Sequence, residues 1–135
     1  MNLYLIRHGR QDSELCNVNV PLCDIGKVQA ELVGKRLAGY GISALYSSSL
    51  IRAVETAQII NKVLQVPYFQ EEALEEIDFG QLTGLTDEQI QEQFGDFMKK
   101  RNQIAEDLPF PGGECGQDVW NRTMPLIEKI AAGPY

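Results

Sequence analysis

The stretch Asn2-Leu-Tyr-Leu-Ile-Arg-His-Gly9 decides how the chain is read. Leu3, Tyr4, Leu5 and Ile6 form a short apolar, β-prone run, the pattern of a strand buried on both faces. The run empties into a cation, an imidazole and a glycine, and in open α/β sheets ligands bind at the carboxyl ends of strands. His8 is the only histidine in the sequence, so any imidazole chemistry takes place here. A lone histidine at a strand end is ordinarily satisfied by a nearby carbonyl. Arg7 beside it adds like-charge repulsion that an anion would relieve, and Gly9 removes a side chain that would block a ligand's approach. Together the three residues read as an anion pocket containing a nucleophile.

Working outward, residues 10–21 are polar and irregular and read as a loop. A helix is expected over 24–37, with Gly26, Ala30, Val33 and Leu37 on one face and Gly39-Tyr40-Gly41 ending it. Residues 42–46 form a second strand. Ser47, Ser48 and Ser49 then cap a second helix whose Ala53, Ala57, Ile60 and Leu64 share a face. Residues 66–70 form a third strand, placed near an edge by Pro67. The order β-α-β-α-β implies parallel strands with right-handed crossovers. Residues 71–84 are acidic and then glycine-punctuated. A helix from Thr86 or Asp87 reaches about residue 99, a Pro/Gly loop covers 107–116, and a last helix spans about 117–132. Pro125 inside it predicts a kink or a late start.

The 135 residues suit one domain, and 44% hydrophobic with 23% charged residues describe a globular chain. No apolar run approaches the length of a membrane span and no secretory signal is present, so a cytoplasmic protein is expected. A net charge of -7 argues against nucleic-acid and anionic-membrane partners, while local arginines still allow a small anionic substrate. Cys16, Cys23 and Cys115 cannot all pair and match no zinc spacing; reduced thiols are expected. The sequence leaves oligomeric state open.

Two further segments carry candidate chemistry. Arg52 lies in the first turn of the second helix, beside unpaired amides and the positive end of the helix dipole. An isolated helix arginine is usually solvated, but in a parallel sheet the ends of the first two strands are neighbours, so Arg7 and Arg52 could fork one phosphate. Glu71, Glu72, Glu75, Glu76 and Asp78 form an acidic cluster, read by itself as a solvated face. Phe79-Gly80 and Gly84 shape it into a loop, and one carboxylate near a bound phosphate would have its pKa raised, as suits a general acid.

Leu5-Ile6-Arg7-His8-Gly9, the Ser-Ser-x-Leu-x-Arg-Ala-x-x-Thr-Ala segment ending at Ala57, and Leu74-x-Glu-x-x-Phe-Gly-x-x-x-Gly84 resemble the histidine phosphatase superfamily, which holds the cofactor-dependent phosphoglycerate mutases and related phosphomonoesterases. Pro21-Leu22, Gly26 and Gln29-Ala30 resemble its first helix, and Pro111-Gly-Gly-Glu114 a loop of its phosphatase branch. The resemblance implies a three-layer α/β/α sandwich with a mainly parallel, phosphoglycerate mutase-like sheet. It implies His8 as nucleophile through a phosphohistidine. Arg7 and Arg52, with the Gly9 backbone, would bind phosphate. Glu76, at the family's position between Leu74 and Phe79, would be the proton donor in preference to Glu75.

Neither a metal nor a cofactor is implied, and the expected partner is a small phosphorylated substrate. Where the family often continues with Glu-Thr and a phosphate-binding Asn, this chain has Arg10, Gln11 and Glu14, leaving Gln11 and Asn17 as substitutes. A second family histidine, borne on a later strand, has no counterpart here. That gap and the incomplete strand count lead to the expectation of a C-terminally truncated domain. The leading expectation is a phosphomonoester hydrolase, ahead of mutase-type transfer and of a non-catalytic phosphate-binding module. A Rossmann-like cofactor binder is disfavoured because no Gly-x-Gly-x-x-Gly turn follows the first strand.

Overall fold

The computed structural model describes residues 1–134. The described residues divide into two compact units, one of residues 1–12, 19–75 and 126–134, the other of residues 13–18 and 76–125.

In the first unit, α1 (Asp24–Leu37) follows the expected boundaries. Its buried face is Gly26, Ala30, Gly34 and Leu37, residues three or four apart as one helical face requires. Val33, expected on that face, is only half-buried; Gly34 replaces it because its missing side chain lets the helix meet the backbone of Ile60. β1 (Leu45–Ser47) and β2 (Tyr68–Gln70) form a two-stranded parallel sheet, with Tyr46 opposite Phe69 and their rings stacked 5.0 Å apart. The crossover between them is α2 (Ile51–Leu64), which buries Arg52, Thr56, Ala57 and Ile60. This is the α/β architecture with parallel pairing that the sequence predicts.

The strand expected over Leu3–Ile6 does not form. Among the described residues it joins no ladder, and Leu5 is 85% exposed. The cause is the nature of strands: β-propensity describes how well side chains suit a half-buried sheet, and the ladder bonds come from neighbours. Here Leu3 to Ile6 keep the apolar character of a sheet strand without the pairing. Tyr4 still packs edge-on against Tyr40, with 5.5 Å between ring centroids.

Capping of α2 also differs from expectation. Its N-cap is Leu50, with no side-chain cap bond from the serines. The Ser47 hydroxyl donates to the Ser48 carbonyl at 2.8 Å and lies 2.7 Å from the Tyr68 hydroxyl, while Ser49 donates to the Glu75 carboxylate. Asn19 supplies the cap from a distance, its side-chain oxygen accepting from the Ile51 amide at 2.8 Å. The amide is thus satisfied by an acceptor that periodicity could not reveal.

The second unit contains α3 (Asp87–Asn102), opened by a capping box in which Thr86 and Gln89 each accept from the other's backbone amide. Buried Leu82 and Phe110 anchor this unit, with Phe79 stacked on Phe110 at 4.5 Å and the Arg101 guanidinium 4.3 Å from the Phe110 ring centre. α4 (Gly116–Ala132) starts on schedule and runs through Pro125, so the late start is not seen. Asp107 accepts from the first amides of α4, Gly116 at 2.8 Å and Gln117 at 2.7 Å, and these bonds hold its carboxyl below the usual carboxylate range. No helix among the described residues is long and apolar enough to cross a membrane.

Candidate phosphoryl-transfer site

The Arg7-His8-Gly9 segment is held by contacts on both sides of Gly9. The Gly9 amide donates to the Thr56 hydroxyl at 3.0 Å, and that hydroxyl donates to the Arg52 carbonyl at 2.7 Å. The loop is therefore tied directly to the first turns of α2, one turn from the residue expected to share its phosphate. On the other side a Cβ at Gly9 would collide with the Gly26 carbonyl oxygen, and one at Gly26 with the Arg10 backbone. Two glycines let the loop and the start of α1 touch backbone to backbone.

His8 is half-buried, and its Nδ1 lies 2.7 Å from the Gly9 carbonyl oxygen. A carbonyl only accepts, so this bond requires the proton on Nδ1. In the neutral ring the lone pair then resides on Nε2, the form a nucleophile needs. Arg7 is exposed. Arg52 is 3% exposed, which rules out the solvated-surface reading of that arginine. A guanidinium so far out of water must be paired, and no described buried side-chain nitrogen or oxygen lacks a hydrogen-bond partner. Gln11, half-buried, forms an isolated antiparallel bridge with Leu22. Within the first unit, Thr56 thus links the Gly9 backbone to the Arg52 backbone, with Arg7 and His8 preceding Gly9 in the chain; the Gly9 amide and carbonyl, expected at the phosphate, are both engaged inside the protein.

Glu76 and Asn17 belong to the second unit. The Glu76 side chain is exposed and its carboxylate accepts from the Ile77 amide at 3.1 Å. Asn17 adopts a left-handed conformation with φ 45 and donates its side-chain amide to the Ile77 carbonyl at 3.3 Å. In this structure its amide faces the acidic loop. Glu114, in the Pro-Gly-Gly-Glu loop, accepts from both Arg122 Nε at 2.9 Å and Arg122 Nη2 at 3.0 Å, a bidentate pair. This pair holds the Glu114 carboxyl below its ordinary range. Burial, then the charges of Asp87 and Glu76, push the nearby Cys16 thiol up, and all three cysteines are free.

Three residues of this arrangement carry little or no signal in the sequence. Thr56 lies within the Arg-Ala-x-x-Thr-Ala motif, and its spacing four residues after Arg52 is the signal that marks a shared helix face. Arg122 gave no signal, since its partner lies eight residues back across a helix start. Asn19 gave none either.

Residues 3–135 match the histidine phosphatase superfamily (branch 1). Among curated relatives, a 2,3-bisphosphoglycerate-dependent phosphoglycerate mutase of Nitrobacter winogradskyi is 32% identical over 93% of this chain and 65% of its own length. One of Rhizobium meliloti is 32% identical over 97% of this chain and 69% of its own length. The chain therefore spans about two thirds of the relatives it matches. Among solved structures, a mycobacterial glucosyl-3-phosphoglycerate phosphatase complexed with VO3 aligns with TM-score 0.81 and 26% identity, covering 93% of this chain and 62% of that one. A mycobacterial hydrolase aligns with TM-score 0.82 and 26% identity, covering 94% and 63%.

Proposed function

The chain belongs to branch 1 of the histidine phosphatase superfamily, and from that premise we propose that it serves phosphomonoester hydrolysis through a phosphohistidine on His8. The observation that supports this most is the hydrogen-bond chain from Gly9 through Thr56 to the Arg52 carbonyl, together with the Nδ1-protonated His8.

In the proposed reaction, His8 Nε2 attacks phosphorus. The N–P bond forms as the bond from phosphorus to the ester oxygen breaks, and Glu76 gives its proton to the leaving alkoxide. Arg7 and Arg52 hold the phosphoryl oxygens, where each permanently charged fork meets the charge that accumulates in transfer. Water then attacks the phosphohistidine, the Glu76 carboxylate takes its proton, and orthophosphate leaves with His8 restored. Nucleophile, charge stabiliser and proton donor are all side chains in this scheme, and none of its steps calls for a metal. The substrate would be a small phosphorylated metabolite, since a net charge of -7 disfavours nucleic acids and anionic membranes.

A second reading, mutase-type transfer between hydroxyls, is favoured by the names of the curated relatives. In that case the phosphohistidine would pass its phosphoryl group to a second alcohol instead of water. Hydrolysis of p-nitrophenyl phosphate across about pH 5 to 8, the range of carboxyl and imidazole chemistry, tests the first reading in this chain and in His8→Ala. Turnover that vanishes with His8 supports it. Retention of phosphate without turnover in both proteins would replace it with a binding module. Phosphate exchange between phosphoglycerates exceeding hydrolysis would favour the mutase.

A further inference from the structure

The backbone of residues 76–78 is gripped at every position from outside. Arg122 Nη2 donates to the Glu76 carbonyl at 3.3 Å, and Asn17 Nδ2 to the Ile77 carbonyl at 3.3 Å. The Asp78 amide donates to Glu114 Oε2 at 2.9 Å, and the Glu114 amide donates to the Asp78 carbonyl at 2.9 Å. Glu114 and Arg122 are themselves locked by the bidentate pair, so one guanidinium and one carboxylate close a ring that includes the Glu76 and Asp78 backbone. The Pro-Gly-Gly turn brings Glu114 there: a Cβ at Gly113 would strike the Asp78 carbonyl, and one at Gly80 the Pro111 carbonyl.

We propose that Arg122 and Glu114 are positioning residues for proton transfer, fixing the backbone from which the Glu76 carboxyl reaches the leaving group. This rests on the reading of Glu76 as proton donor. Neither residue touches substrate in this account. They act by restricting the Glu76 main chain, because a proton donor works only when held within hydrogen-bond reach of the atom it serves. Such clamping is needed here because the Glu76 side chain is exposed and packing alone does not orient it.

The readout that separates positioning from general stability is the leaving group. A dinitrophenolate departs without a proton, whereas phenolate requires one, so kcat/KM for phenyl phosphate depends on Glu76 and kcat/KM for 2,4-dinitrophenyl phosphate does so far less. Arg122→Lys keeps the charge and the alkyl stem but loses the fork. Its kcat/KM for phenyl phosphate is expected to fall about tenfold, part of the roughly 10²–10⁴ that a general acid contributes, with the dinitrophenyl ester nearly unchanged. Glu76→Gln should show the same selectivity, larger. Glu114→Gln provides an independent break of the ring, so a folding failure of one variant leaves the other to decide.

Equal losses on both esters, or none on either, would overturn the positioning role while leaving the phosphatase reading intact. A wild-type chain that turns over neither ester would overturn the reading on which the role rests, and the role with it.

Discussion

The two candidate catalytic arms are built by opposite means. The His8 arm is held by steric contact and neutral hydrogen bonds: Gly9 against Gly26, and the Gly9 amide on Thr56, which is 6% exposed. The Glu76 arm is held by a bidentate ion pair whose side chains remain 24% and 25% exposed. A nucleophile must meet phosphorus along one line, and a dry, close-packed seat supplies that accuracy. A proton donor works through hydrogen bonds, and polar contacts near water suffice to aim it. The first arm should therefore be sensitive to shape and indifferent to salt, and the second the reverse.

The largest break expected is Gly26→Ala. Its new methyl would meet the Arg10 backbone, which cannot rotate aside as a side chain can. Overpacking of this kind costs roughly 1–3 kcal/mol and sometimes more, and backbone contact places this case at the upper end. Chemical denaturation should register the loss, with activity on every substrate falling alongside. A variant as stable as wild type would mean that the loop and α1 can separate freely.

Thr56→Val comes next. It removes the hydroxyl that both accepts from Gly9 and donates to Arg52, leaving a buried amide unsatisfied at about 1–3 kcal/mol. Because it loosens the nucleophile, it should slow good and poor leaving groups alike, the mirror image of the Arg122 variants. Thr56→Ser should restore most of the loss. A leaving-group-selective effect at Thr56 would erase the division between the arms.

The smallest effects concern the ion pair itself. Glu114's carboxyl is held below its ordinary value, chiefly by its hydrogen bonds from Arg122. A depressed folded-state pKa means that the pair's stabilisation is fully present above the ordinary carboxylate range. It is lost as pH falls through the lower folded value. For a pair that still reaches solvent, that amounts to about 0.2–1 kcal/mol. Wild type should lose this increment on acidification, and Glu114→Gln should not. Matching acid profiles for the two proteins would show that the pair contributes nothing measurable.

Helices were legible in the sequence because their information is local. The α1 boundaries and the Thr86 start of α3 follow from spacing and capping chemistry within a few residues. The strand at Leu3–Ile6 was not, since four apolar residues can state a preference for a sheet but not provide the partner. The candidate site divides the same way. Arg7, His8, Gly9 and Arg52 stand out by residue type and motif, and Glu76 by its place between Leu74 and Phe79. Thr56, Asn19 and Arg122 matter through partners 47, 32 and 46 residues away, a pairing that only the folded chain reveals. The burial of Arg52 was likewise invisible, because helix periodicity alone would leave a charged residue in solvent.

On this reading His8 takes the phosphoryl group on Nε2 while Nδ1 keeps its proton, donated to the Gly9 carbonyl. The direct measurement is rapid quenching of the chain with p-nitrophenyl phosphate at alkaline pH, followed by peptide mass spectrometry and phosphorus NMR of the trapped protein. The expected result is one added phosphoryl group on the peptide containing His8, with the resonance of an Nε2-phosphorylated imidazole, absent from His8→Ala. Turnover with no label on His8, or label that persists in His8→Ala, would contradict it.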